Sequence, residues 1–302
     1  WLCRDKPSMK EALRAAGVPT AASTAASTAD EVRNFAKAVG YPLILKPRTG
    51  AGALDTTRVD DDGGLDAALA AFGGQQVDSI AVEEFVEGHE GFYDTLSVDG
   101  APAIDFVSHY FPNVLEAMRT RWISPQFVAT NRIDSVADYQ QLRDLGRRVN
   151  EALGIGTSAT HMEWFFGPKG LKFSEIGCRP PGVGQWDSYS AGNEFDLYHE
   201  WALAVCHHHT DRAPSRRYAC GLIALRPDRD GRIAGYEGAD EMFRRYGDLV
   251  VGHHFPVLGT PTQPVEAGYM ANAWMRLRHP DFDVLHGILN EIGERVQVRG
   301  IA

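Results

Sequence analysis

The chain has 302 residues, 44% of them hydrophobic and 23% charged, with a formal net charge of −10. That length suits two or three packed units with a sizeable core, and the acidic balance argues against a nucleic-acid partner, which needs a basic surface. No stretch approaches the roughly 18 apolar residues of a membrane span and no signal peptide is visible, while four scattered cysteines without a CxxC pair fit a reducing cytoplasm rather than a disulfide framework or zinc knuckle.

The chain opens at Trp1 rather than Met, directly before a charged segment, so a further N-terminal piece is expected. Ser8 to Gly17 predicts a short helix, with Ser8 as N-cap, Glu11 completing a capping box and Gly17 stopping it. An Ala/Ser/Thr-rich stretch follows, and a second helix starts at a Thr28 or Asp30 cap and ends at Gly40. Residues 42–48 predict a strand, 53–59 a second strand after a glycine-rich turn, 65–72 a helix and 79–86 a strand ending at the turn Glu87-Gly88. Phe92 to Val128 alternates enough to be mostly strand. Leu142, Leu145, Val149 and Leu153 fall on one helical stripe. Two strands form a hairpin around Pro168-Lys169-Gly170, and 194–208 predicts another amphipathic helix. The polar, Arg-rich stretch at 210–217 marks a boundary before a strand-rich module that ends in a helix.

Three constellations carry chemistry. Lys46 ends an apolar strand and is followed by Arg48-Thr49-Gly50-Ala51-Gly52-Ala53. Glycines at Gly50 and Gly52 let a backbone approach phosphate and offer it N–H donors. The lysine precedes the glycines, so this is not a P-loop. Next, Glu83, Glu84, Phe85 and Val86 run into a Gly turn with Glu90 beyond it. Backbone groups there suit an adenine edge, and a carboxylate suits ribose hydroxyls.

The strongest constellation is His161-x-Glu163 with Glu175-x-Gly177-x-Arg179. A three-residue loop at 168–170 makes Gly167 face Leu171, which sets Glu163 opposite Glu175 and His161 opposite Gly177. Two facing carboxylates repel unless a cation lies between them. Mg²⁺ takes one or two carboxylates plus phosphate oxygens, and the apolar flanks bury the hairpin, so a metal is the economical partner.

In this order the three pieces resemble the ATP-grasp superfamily, especially its carboxylate–amine ligase branch, from Asp5 to about His209. The resemblance implies an α+β fold in which two lobes clasp ATP. It divides the chain into a lead-in at 1–19, a small lid lobe at 20–85, a large metal-binding lobe at 86–212 and an α+β module at 213–302. It implies that Lys6 and Lys46 contact ATP phosphates, that Glu83 or Glu84 holds adenine beside Phe85 and Val86, and that Glu90 holds ribose. Glu163 and Glu175 become the Mg²⁺ ligands, and Arg179 the contact to the transferred phosphate. The Gly182 and Gly184 backbone would help hold the oxyanion, and His161 is the candidate base. The expected reaction activates a carboxylate as an acyl phosphate and joins it to an amine. The expected partners are therefore small-molecule carboxylates and amines, with a homodimer as candidate assembly. Activation of bicarbonate and a non-catalytic ATP-binding module are the alternatives.

Two departures stand out. Many members place Asn where this chain has Gly177, and the α/β domain that usually precedes the lead-in lysine is not in this sequence. Other features read as structural. His207-His208-His209 fits a helix end, Cys178 a core thiol, and Asp60-Asp61-Asp62 a turn rather than a calcium loop.

Overall fold

The computed structural model describes residues 1–49, 56–73, 76–265 and 273–302, with backbone alone at 76–78. Gly50 and Gly52 lie outside the described residues. Helix α1 (Lys6–Ala15) starts ahead of the expected Ser8 cap. Asp5 is the N-cap, and its carboxylate accepts the Ser8 amide at 3.0 Å. Pro7 fits the first turn, where its missing N–H has no intrahelical partner to lose. The Ala/Ser/Thr-rich stretch, given no element by periodicity, forms strand β1 (Ser23–Thr28).

Helix α2 (Ala29–Val39) is entered through a capping box between Thr28 and Glu31 and leaves through Gly40 at φ +84°. Strands β2 (Leu43–Pro47) and β3 (Thr57–Val59), helix α3 (Asp62–Ala71) and strand β4 (Gln76–Glu84) follow. Asp61 caps α3, which places the aspartate run at a helix start. The strands form one antiparallel sheet in the order β1-β4-β2-β3. Its core includes Val32, Leu43, Leu45, Leu65, Ile80 and Val82.

The chain continues through β5 (His89–Val98), β6 (Ala101–Phe111), a short helix α4 (Val114–Ala117), β7 (Gln126–Ala129) and α5 (Asp138–Ala152). On α5 the stripe buries Leu142, Leu145 and Val149, and Leu153 becomes its half-buried C-cap. The hairpin β8 (Ser158–Gly167) and β9 (Gly170–Gly177) comes next, then α6 (Gln185–Asn193) and α7 (Leu197–His207). Helix α6 is invisible to periodicity because its buried face mixes Gln185 and Ser188 with Trp186 and Tyr189. The triple-histidine run ends α7, with His208 as its left-handed C-cap. The last elements are β10 (Ala219–Leu225), β11 (Arg232–Glu237), α8 (Ala239–Tyr246), β12 (Val250–His254), β13 (Ala273–His279), α9 (Phe282–Arg295) and β14 (Gln297–Ile301).

Eight strands form a second sheet in the order β12-β13-β10-β7-β6-β5-β8-β9. Strands from both sides of the boundary expected at 212/213 share this sheet. β10 pairs with β7 from Cys220 opposite Ala129 to Ile223 opposite Gln126, so the C-terminal strands continue the sheet that carries the hairpin. The 210–217 stretch is polar because it is anchored over the surface, with Arg216 paired to Asp105 and Asp134. Among the described residues no helix is long and apolar enough to cross a membrane.

Candidate active site

A cleft of about 790 Å³ lies between the two sheets, lined by β2 and β4 on one side and β8 and β9 on the other. Glu163 and Glu175 stand opposite each other across β8 and β9, as the sequence predicts, but the register arises differently. Gly170 faces Gly167 at φ +77°, which makes the turn one residue tighter than expected, and pairing continues to Trp164 opposite Phe173. A bulge at Ser174 then restores the predicted partnership, aiming both carboxylates at the cleft.

The pair is surrounded by charge. Lys6 Nζ lies 3.8 Å from Glu175 Oε2. Lys46 Nζ lies 3.0 Å from Glu83 Oε2, and Lys10 Nζ reaches the same oxygen at 2.6 Å. Burial opposes the Glu83 charge, but Lys10 and Lys46 outweigh it and hold the carboxyl at about 2. Burial pulls Lys10 down to about 8, with Lys46 adding to the effect against the attraction of Glu83. Lys46 is raised, because Glu83 and Glu175 outweigh its burial. Lys10 was missed by the sequence reading. Its signal was the i, i+4 spacing from Lys6 on one helix face, next to the core residues Met9 and Leu13.

The two hinge glutamates part company because successive strand residues point to opposite faces. Glu83 turns inward to the lysines and its Oε1 has no hydrogen-bond partner among the described residues. Glu84 turns to Lys172 at 3.0 Å and Lys169 at 3.6 Å. Phe85 and Val86 line the cleft with Ile44, Phe165 and Phe173. Gly88 makes the following turn possible at φ +147°, where a Cβ would come within 2.4 Å of the Phe166 carbonyl oxygen. Glu90 is buried, and its Oε2 accepts the Val114 amide at 2.7 Å. Burial and the nearby Glu163 raise its carboxyl to about 8.

Burial and Glu163 likewise raise Glu175, whereas Glu163 is lowered because His161 outweighs its burial. The raised Glu90 and Glu175 mark carboxylates held beside the like charge of Glu163, a repulsion that a hard divalent cation between Glu163 and Glu175 would relieve. Among the described residues no group of three or more His, Cys, Asp or Glu is arranged to hold a metal. The Glu163–Glu175 pair would leave the remaining positions to phosphate and water, as Mg²⁺ prefers.

His161, the candidate base, lines the cleft with Nδ1 2.7 Å from Asp94 Oδ1 and Nε2 3.7 Å from Glu163 Oε1, beyond hydrogen-bond distance. Burial opposes its charge, but Asp94 and Glu163 raise it to about 10. Behind it Tyr189 donates to Asp94 Oδ2 at 2.6 Å, and Ser108 links Tyr189 to Gln185. Gln185 lines the cleft, and its buried Oε1 has no partner among the described residues. Sequence reasoning had no handle on this chain, since its members come from four separate elements.

Arg179 lies exposed at the rim and donates to the Pro180 carbonyl at 2.8 Å. A Cβ on Gly177 would already touch Arg179, 3.4 Å from its Cγ, so a longer side chain there would compete for that space. Val183, between Gly182 and Gly184, holds φ +54°, a strained conformation for a β-branched residue on the cleft wall.

The chain is 25% identical over 168 residues to the carbamoyl phosphate synthase large chain of Bifidobacterium adolescentis, covering 54% of this chain and 14% of that protein. It is 27% identical over 186 residues to the L-arginine-specific L-amino acid ligase of Bacillus subtilis, covering 60% of this chain and 44% of that one. The chain thus spans less than half of either relative. The L-amino acid ligase structure from Bacillus licheniformis superposes with a TM-score of 0.77 at 16% identity, covering 99% of this chain and 73% of that chain. Residues 11–192 match the ATP-grasp domain, and the chain belongs to that family.

Proposed function

We propose that this protein is an ADP-forming carboxylate–amine ligase that activates a small carboxylic or amino acid with ATP. The observation that carries the reading is the Glu163–Glu175 pair facing a cleft that also holds Lys6, Lys46 and Arg179. The apolar end formed by Ile44, Phe85, Val86, Phe165 and Phe173 suits an adenine ring. Mg²⁺ held by Glu163 and Glu175 would supply charge neutralisation between phosphate groups.

Lys6 and Lys46 then stabilise charge on the triphosphate while the substrate carboxylate attacks in line, so positioning and electrostatics carry the step. Arg179, next to the mouth, meets the transferred phosphate and the acyl phosphate. The amine attacks that acyl phosphate and expels phosphate. His161 is the candidate to take up the proton that the amine loses. The likeness to amino acid ligases supports this class of substrate.

The test is ADP and phosphate release with the amino acids singly and in pairs, small carboxylic acids, and bicarbonate. Amine-dependent release coupled to amide product is expected. Release with bicarbonate alone would move the protein to the carboxylase-like alternative, and ATP affinity without turnover would overturn the ligase reading.

A further inference from the structure

Cys178 was expected as a core thiol, yet it is exposed on the turn after β9, and its Sγ lies 3.2 Å from Sγ of Cys3. The two residues are far apart in sequence, and tertiary structure alone brings them together. Cys3 is half-buried just before α1 and packs against the core under α5 and β8. A disulfide requires an S–S distance of about 2.05 Å, so the two sulfurs at 3.2 Å must approach by roughly a further ångström to bond. The remaining thiols are separate: Cys220 is buried in β10, and Cys206 is exposed on α7.

The location gives the contact consequence. Cys3 precedes Asp5, which is bound by Arg48, and Lys6, which faces Glu175. Cys178 lies between Gly177 and Arg179 on the turn that leaves the carboxylate hairpin. A covalent link would join the lead-in lysine segment to the turn that aims Arg179.

We propose that Cys3 and Cys178 are a redox modification site that forms a reversible intramolecular disulfide and restrains the Arg179 turn. The co-reactant is a low-molecular-weight disulfide such as oxidised glutathione. The Cys178 thiolate attacks one sulfur of that disulfide, its S–S bond breaks, and one small thiolate leaves and takes up the proton lost by Cys178. The Cys3 thiolate then attacks Sγ of the mixed disulfide, forming the Cys3–Cys178 bond and expelling the second small thiolate, which takes up the proton lost by Cys3. Two protein thiols are oxidised, and one small disulfide is reduced to two thiols. Contact with Cys3 lowers the Cys178 thiol to about 7, which supports Cys178 as the attacking partner.

The experiment exposes the full chain to graded oxidised glutathione and counts free thiols by dithionitrobenzoate, with peptide mapping under non-reducing conditions. Loss of two of the four thiols, a linked Cys3–Cys178 peptide and full recovery with dithiothreitol are expected. Cys3→Ser should stop at one glutathione on Cys178, whereas Cys206→Ser should still form the link. Hydrogen exchange of residues 177–184 should slow in the oxidised chain and not in the Cys3→Ser adduct. A stable mixed disulfide on Cys178 of the unmutated chain, an intermolecular link, or unchanged exchange in the linked form would each overturn the proposal.

Discussion

Replacing Lys46 by Met keeps most of the aliphatic stem and removes the ammonium 3.0 Å from Glu83 Oε2. Glu83 retains Lys10 at 2.6 Å, so its buried carboxylate is not stranded. The cost to the fold is bounded by one charge-assisted contact, about 1.5–3 kcal/mol, and is reduced because an ammonium no longer has to be buried. The effect on chemistry is larger. One preorganised charge facing the triphosphate contributes roughly 2.7–4 kcal/mol, so kcat should fall by about 10²–10³. The KM of the carboxylate substrate should change little, because the lost contact is to phosphate. Lys10→Met provides the comparison. It leaves Lys46 as the only cation on Glu83, so the Lys46 ammonium is drawn toward Glu83, and the ATP KM should rise with a smaller fall in kcat. Steady-state ADP release, with thermal unfolding of each variant, reads both effects. Near-normal turnover in Lys46→Met would refute the placement of the triphosphate, and global unfolding would refute the view that Lys10 suffices for Glu83.

Glu175→Gln removes the like charge opposite Glu163, so the metal-free protein should gain up to about 1 kcal/mol, near 2 °C in Tm, while Mg²⁺-dependent turnover is lost. A lower Tm would show that the pair is not repulsive. Glu83 is displaced from 4.5 to about 2, a lowered carboxyl whose stabilisation is present above pH 4.5 and is lost as pH falls toward 2. The scale is about 3 kcal/mol, so Glu83→Gln should flatten the acid limb of the stability curve in that window, and an unchanged limb would count against the lysine–glutamate cluster. Asp5→Ala removes both the α1 cap and the Arg48 partner and should destabilise by about 1–3 kcal/mol. Asp5→Asn keeps the cap and should recover roughly half of that in denaturant unfolding, and equal losses in the two variants would mean that the cap contributes nothing.

Local chemistry was legible wherever neighbours in sequence decide it. Although the box expected at Ser8 and Glu11 gave way to the Asp5 cap, the Thr28 cap, the Gly40 stop, the α5 stripe and the hairpin at Gly170 depend on residues a few positions apart and were readable from spacing. The same holds for Lys46, Glu163 and Glu175, because strand alternation and a tight turn bring chosen residues to one face. Even there the register needed a bulge at Ser174, which depends on how β9 packs and leaves no mark in the sequence. Tertiary structure alone decided the rest. β10 enters the large sheet beside β7, which turns an expected module into a continuation of the site-bearing sheet. Lys10 shares the carboxylate of Glu83, His161 is held by Asp94, and Cys178 meets Cys3. These contacts join residues from separate elements, and their energies exist only once burial removes water and fixes distances of a few ångströms.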